Sequence, residues 1–502
     1  MNIQQIWHWL KAKIQLEFIW WALAAVGIVL RLRQYFLDLS ISTDESALAV
    51  NVVTRNFSGL TQPLGFNQGA PIVFLFIEKF FILILGNKDY ILRIFPLCSG
   101  LMAIYLFYVI AKKYFGHAGL LAFFAFILCS SIISYSSYAK PYSSDITIAL
   151  LLFYLSDLCI REDAKIIDFI ILGVSGIIVL WISNPSVFLL AGIGLVLVFE
   201  KLTHKNYKGL VWTFGAGFFW LAALGINYLI SLRYLAASSY LLKYWSGAFM
   251  PLPPWGNPKW LIDTYLSLLS VSLDRTELIF AISCGLLIFI GSVSFFVKNR
   301  PATLIMILSL VMALIASGLK KYPLQERFLL FMVPFVYLLI AEGLIRVYMF
   351  IAKRNHAVAL IICGVILITV FKPEIGNTTR NFLYPSRSWD LRPVMENVVK
   401  NYKPGDIFYV SGGGEIFDYY STVYGLKTSH VILRNTHRIV GLWAFENDLK
   451  ALAGTNRVWI IFAHFESPAN QIYVRTINQA AKIEMTFQSW DARGYLCNLY
   501  PR

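Results

Sequence analysis

Two adjacent carboxylates, Asp44 and Glu45, stand just beyond the first hydrophobic run of a chain that is only 14% charged. Charge at a bilayer boundary is costly unless it has a job, so an acidic pair there is a candidate functional site. A carboxylate beside an incoming hydroxyl or amine can take its proton, and two can hold a cation that neutralises a phosphate leaving group. Hard oxygen ligands of this kind suit Mg or Mn. The pair also reads as a helix start, because Ser42-Thr43-Asp44-Glu45 precedes the apolar Ala47-Leu48-Ala49-Val50 and acids suit a helix N-terminus. A third carboxylate, Asp145, closes the segment Tyr138-Ala-Lys-Pro-Tyr-Ser-Ser-Asp145. Asp44 and Asp145 are therefore the candidate metal ligands, and Asp44, Glu45 and Asp145 the candidate catalytic acids.

Opposite charge lies at corresponding places. Lys140, Lys320, Lys321 and Arg327 fall at expected outer helix ends, where a lipid phosphate would lie; Arg offers it bidentate geometry and Lys a point charge. Each cation alone also reads as a side chain snorkelling to headgroups, and their coincidence with the acids favours the phosphate reading. Tyr142, Tyr244 and Trp245 are candidate substrate contacts, although the loop Tyr244–Trp255 also fits an interfacial aromatic belt.

The elements that must position these residues are set by composition. With 502 residues, 58% hydrophobic, and a mean hydropathy of +0.64, the chain is a polytopic α-helical membrane protein. Its net charge of +15 fits cytoplasmic loops and lipid headgroups rather than nucleic acid, since basic patches interleaved with aromatics are absent from its polar segment. The six cysteines form no disulfide or metal-type spacing. Lys11 and Lys13 precede the first apolar run without a small-residue cleavage site after it, which reads as an uncleaved first span. Runs long enough to cross about 30 Å of hydrocarbon lie near 18–36, 91–111, 118–137, 145–160, 166–183, 185–200, 209–231, 277–297, 302–319, 325–345 and 357–373, about eleven helices. The run 71–86 is short and carries Glu78 and Lys79 at its centre. Treating it as a juxtamembrane helix, with the N-terminus inside, sends Lys112-Lys113, Arg161, Lys201, Lys298 and Arg346 to the cytoplasm and the C-terminus outside.

That topology puts 37–90, 138–144, 232–276 and 320–327 on one outer face, as walls of one site. Domains are expected at 1–373, spanning the membrane, and 374–502, a small extracytoplasmic α/β domain. The latter is read from helices at 390–402, 415–424 and 468–481 and strands at 406–410, 457–463, 484–488 and 494–500. Gly412-Gly413-Gly414 completes neither a Walker nor a dinucleotide fingerprint and reads as a tight strand-to-helix turn. Tyr419, Tyr420, His437 and His464 offer contacts to an acceptor, but single histidines without a second ligand at metal spacing rarely bind metal, and all four read rather as ordinary surface or core residues.

The ordered set Asp44-Glu45, Gln68-Gly-Ala-Pro71, Arg93-Ile-Phe-Pro96 with Gly100, a basic pair before Phe115-Gly116, Ala139-Lys-Pro-Tyr142 with Asp145, and Tyr322-Pro with Glu326-Arg327 resembles GT-C glycosyltransferases of the protein O-mannosyltransferase and aminoarabinose transferase type. The resemblance covers roughly residues 1–345. It implies a polyprenyl-phosphate-linked sugar as donor, inverting transfer without a nucleotide sugar, and a site in the outer loops. By it Asp44 is the acid/base residue, Glu45 supports it, Asp145 lines the site, and Arg327 or Lys140 meets the donor phosphate. Lys140 stands where many relatives carry Arg, and the C-terminal domain matches no well-characterised acceptor module. The expected function is transfer of a sugar to a lipid, glycan or protein acceptor at a bacterial inner membrane. The alternatives are a flippase of lipid-linked saccharide, which would show charge deep within spans and repeated helical halves, and an oligosaccharide ligase or polymerase.

Overall fold

The computed structural model describes residues 3–385, 387–426, 428, 430–434, 439–465 and 470–501, with 3–14, 430 and 434 described as backbone only. The chain divides into two compact units, one made of Met1–Phe36, Ala70–Phe74 and Arg93–Tyr384, the other of Leu37–Gly69, Leu75–Leu92 and Pro385–Arg502. The composition break expected at 374 falls within the helix His356–Leu383, which runs through Pro373 without ending.

Among the described residues nine helices of the first unit are long and apolar enough to cross a membrane: Gln15–Phe36, Ile91–Leu128, Tyr142–Ile160, Ser186–Thr203, Tyr207–Ala237, Leu278–Lys298, Arg300–Gly318, Glu326–Ala352 and His356–Leu383. One of them is two. In a straight helix Phe107 and Phe126 would lie about 28 Å apart, yet their ring centroids are 4.5 Å apart. The chain doubles back at Gly116, whose φ of 53° and ψ of −117° lie outside the helical region and suit a residue without a Cβ. A Cβ on Gly119 would sit 2.0 Å from the Ala111 carbonyl oxygen, so the two arms touch backbone to backbone. With this hairpin and the shorter apolar helix Ile166–Val179, the described residues hold the eleven apolar segments that the hydropathy pattern predicts.

The core of this unit is a continuous apolar cluster, with Phe107, Phe123, Phe153, Leu189, Phe295 and Leu338 all buried. Small residues let helices approach within it. A Cβ on Gly291 would lie 1.9 Å from the Leu339 oxygen and one on Gly343 2.1 Å from the Leu287 oxygen, which brings Leu278–Lys298 and Val333–Ala352 into backbone contact. The buried Glu342 is neutralised at the same seam by Lys298 at 2.5 Å and Arg346 at 3.0 Å, with Ser294 donating at 2.5 Å. A buried carboxylate is tolerated there because charge and hydrogen bonds both meet it.

The second unit contains a five-stranded sheet of β1 (Ile407–Ser411), β2 (His430–Arg434), β3 (Val458–Phe462), β4 (Ala481–Gln488) and β5 (Arg493–Leu499), in the order β2-β1-β3-β5-β4. β1 pairs in parallel with β2 and β3, while β5 is antiparallel to β3 and β4. All five residues of β3 are buried, as expected of a strand covered on both faces. One face packs Tyr409, Ile460 and Phe462 against Phe445, Leu449 and Ile477. On the other, Phe408 meets Phe417 at 5.4 Å. At the foot of β1 Asp406 receives Arg457 through both oxygens at 2.7 and 2.9 Å, and the Trp459 indole at 2.8 Å. β2 and the helix Leu442–Ala451 are absent from the sequence reading, and His437 lies outside the described residues.

Gly291→Ala should lower the thermal midpoint of the detergent-solubilised protein, since overpacking a tight site costs about 1–3 kcal/mol. The same change at Gly364, whose Cβ would meet nothing within 4 Å, should leave it unmoved. Equal midpoints in the two variants would show that the Gly291 seam is loose.

Candidate active site

The acidic pair does two different things. Ser42 caps the helix Thr43–Thr54: its Oγ accepts from the Glu45 N–H at 3.3 Å while its own N–H donates to Glu45 Oε2 at 3.0 Å. Glu45, buried to 1% exposure, thus closes a capping box, and the helix-start reading accounts for it. Asp44, one residue earlier in the first turn, is half-buried at the positive end of the helix. Below it Ala47, Leu48, Ala49 and Val52 are buried, and the helix Gly414–Val423 packs alongside.

The neighbouring carboxylates of this unit are each held differently. Asp89 is buried and accepts from Tyr419 at 3.0 Å, Tyr420 at 2.6 Å and Arg392 at 3.3 Å. Burial opposes charge on Arg392, but Asp89 and Asp38 push its pKa up. Glu78, at the middle of the helix Ile72–Leu85, is 1% exposed, and neither of its oxygens has a hydrogen-bond partner. Burial, then the nearby Glu45, raises its pKa well above the usual carboxylate range. Its neighbour Lys79 turns instead to the Val53 carbonyl at 3.1 Å.

In the first unit the turn ending at Pro141 opens the helix Tyr142–Ile160. Asp145 sits in its first turn, buried, with its N–H on the Pro141 carbonyl at 2.8 Å and Ser183 and Tyr322 beside it. Lys140 is 4% exposed, far less than a snorkelling side chain would be. The Arg327 guanidinium lies among aromatic rings, 5.9 Å from Tyr142, 5.7 Å from Trp245 and 5.9 Å from Phe328. Trp245 is edge-on to Phe328 at 5.1 Å, and Tyr322 donates to the Phe328 carbonyl at 3.0 Å. The loop after Trp245 is stitched to this segment by Leu324 N–H on the Ala248 oxygen at 2.9 Å. Arg327, Tyr142, Trp245 and Asp145 therefore share one neighbourhood of this unit. Lys320 and Lys321 are exposed, and so is Tyr244, whose ring stacks on Tyr240. A guanidinium framed by rings keeps its planar fork oriented and weakly hydrated, which suits a phosphate.

The sequence reading names Tyr322 only within the Tyr322-Pro motif and Glu78 only as a mark against a full span, and it does not name Phe328, whose ring lies beside Arg327. The hub of Asp38, Asp89, Arg392 and Tyr420 joins residues up to 354 apart in sequence, which no local pattern reveals. Among the described residues no three His, Cys, Asp or Glu side chains come together as a metal-ligand set. Asp145 has a hydroxyl and a phenol beside it rather than a second carboxylate. His464 gives Nδ1 to the buried Asp491 at 2.9 Å and stacks on Trp389, while a Cβ on Gly413 would lie 2.6 Å from that of Ala463. The glycine turn is filled by protein.

No protein-family model and no curated protein matches the sequence. Solved structures do resemble it. ArnT from Cupriavidus metallidurans in the apo state, an aminoarabinose transferase, superposes with a TM-score of 0.53 over 94% of this chain and 97% of its own, at 11% identity. The same protein bound to undecaprenyl phosphate gives 0.53 over 95% and 97%, at 12% identity. The oligosaccharyltransferase of Archaeoglobus fulgidus, in complex with Zn and sulfate, gives 0.51 over 94% of this chain and 72% of that one, at 12% identity. The chain thus shares its fold with ArnT and with this oligosaccharyltransferase.

Glu78 has a folded pKa above its unfolded one, so its ionisation adds no cost to the fold at acid pH and progressively more as pH rises past the ordinary carboxylate range. Glu78→Gln should therefore raise the thermal midpoint at about pH 8 and barely change it at about pH 4. An equal shift at both values would show that Glu78 carries no such burden.

Proposed function

We propose that the protein is a multi-pass glycosyltransferase of a bacterial inner membrane, moving a sugar from a polyprenyl phosphate to an acceptor on the extracytoplasmic face. The observation that carries this reading is the fold, shared over 94–95% of the chain with a transferase solved with and without undecaprenyl phosphate. In the reaction, an acceptor oxygen or nitrogen attacks the anomeric carbon, the bond from that carbon to the phosphate oxygen breaks, and the lipid phosphate leaves with the electron pair. Asp44 takes the acceptor's proton, a role supported by its place beside a helix N-terminus, which favours the carboxylate form. Attack opposite the leaving group inverts the anomeric centre. Arg327 and Lys140 neutralise the departing phosphate, with the guanidinium's planar fork the better match to its oxygens. Asp145 lines the donor side, and Trp245 and Tyr142 offer aromatic faces to a sugar ring. Lys320 and Lys321, both exposed, suit anionic headgroups at the membrane surface.

The test is release of labelled sugar from a panel of undecaprenyl-phosphate hexoses and pentoses by protein in nanodiscs. Asp44→Asn should fall by about 10²–10⁴-fold in kcat while inserting normally. Full activity in that variant would remove Asp44 from the mechanism. Undecaprenyl phosphate should raise the thermal midpoint and a nucleotide sugar should not, because only a ligand of the folded state stabilises it. Arg327→Lys, which keeps charge but loses the fork, should weaken that lipid by about tenfold. An unchanged midpoint shift would place the phosphate elsewhere.

A further inference from the structure

The helix that carries Asp44 is 12 residues long, too short to hold its end firmly by its own hydrogen bonds. What fixes that end is a set of bonds from the C-terminal domain to the residues just ahead of the cap. Ser40 Oγ donates to Asp390 Oδ1 at 2.5 Å, and the Ile41 N–H donates to the Tyr420 hydroxyl at 3.1 Å. The Tyr420 hydroxyl donates to Asp89 at 2.6 Å, and Arg392 bridges Asp89 at 3.3 Å and Asp38 at 3.0 Å. Asp390 is fixed in turn by its N–H on the buried Asp491 at 2.7 Å. Residues 38, 40 and 41 are each tied, Ile41 is fully buried, and Ser42 follows as the cap.

We infer that the C-terminal domain is a positioning element for the transfer reaction, with Tyr420 and Asp390 setting the entry of the chain into the helix that presents Asp44. The inference rests on the catalytic assignment of Asp44. A shift of the cap carries Asp44, two residues on, with it, and a reacting group displaced by about 1 Å can lose about 10²-fold in rate. Tyr420 is the informative position because its hydroxyl serves two partners. In Tyr420→Phe, Asp89 keeps Tyr419 and Arg392, so the carboxylate stays neutralised and the domain stays folded. The Ile41 N–H is what loses its acceptor.

The experiment compares full-length wild-type, Tyr420→Phe and Asp44→Asn proteins in nanodiscs, with the undecaprenyl-phosphate sugar on which the wild type turns over. Amide hydrogen exchange at residues 42–47 should accelerate at least about tenfold in Tyr420→Phe, since local opening exposes those amides. Its kcat should fall by about 10- to 100-fold with KM for the donor unchanged. Asp44→Asn should lose transfer with wild-type exchange. Wild-type exchange or wild-type kcat in Tyr420→Phe, with Asp44→Asn inactive, overturns the inference and leaves the catalytic reading standing. Full transfer by Asp44→Asn overturns both. Should Tyr420→Phe fail to fold, Ser40→Ala, which removes the bond from Ser40 Oγ to Asp390, takes its place under the same criteria.

Discussion

The second unit depends on the buried carboxylate of Asp89. A charge at 3% exposure is stable only if it is paired and hydrogen-bonded, and here two phenols and a guanidinium supply both. Because those donors come from residues 392, 419 and 420 while Asp38 and Asp89 flank the loop, satisfying one charge joins segments more than 300 residues apart. Tyr419 holds one oxygen, while Tyr420 and Arg392 share the other, so that oxygen keeps a donor when either of the two is lost. The rest follows from that junction: Ile41 is placed, Ser42 caps, and the helix Thr43–Thr54 begins where it does.

Much of the fold was legible because hydrocarbon imposes a simple rule on composition. Length and apolarity alone mark the spans, and even the hairpin at Gly116 was separable, since a basic pair and a glycine interrupt the apolar run there. The extent of the last span was less visible. The apolar run ends near 373, but Glu374 is buried and accepts the Ser130 N–H at 3.0 Å, and the helix continues to Leu383. β2 escaped notice for a different reason: its apolar stretch is three residues, Val431 to Leu433, and its strand character comes from pairing with β1 rather than from its own pattern.

The site was legible in part, and the pair Asp44-Glu45 explains how far. Spacing marked both acids but could not apportion them between capping and chemistry, because a capping box and an exposed carboxylate use the same residue types. Burial separates them: Glu45 turns inward to the Ser42 N–H, and Asp44 stays half exposed. Among the cations, sequence treated Lys320, Lys321, Lys140 and Arg327 alike. Structure ranks them by surroundings, with two lysines in solvent, Lys140 buried, and Arg327 framed by three rings. No period of 2 or 3.6 encodes that difference, since Tyr142, Trp245 and Phe328 come from three distant segments.

The acids of the second unit show why so many carboxylates can coexist in so apolar a chain. Each is dealt with by a separate means: Glu45 by the helix end it caps, Asp89 by three donors, Asp406 by the fork of Arg457, and Glu78 by a raised pKa. Glu78 is the revealing case, for a neutral acid beside Glu45 adds no repulsion to the capping box, whereas an ionised one would set two like charges in a dry environment. A loop arranged in this way holds its helix end through pairing and protonation rather than through apolar packing alone.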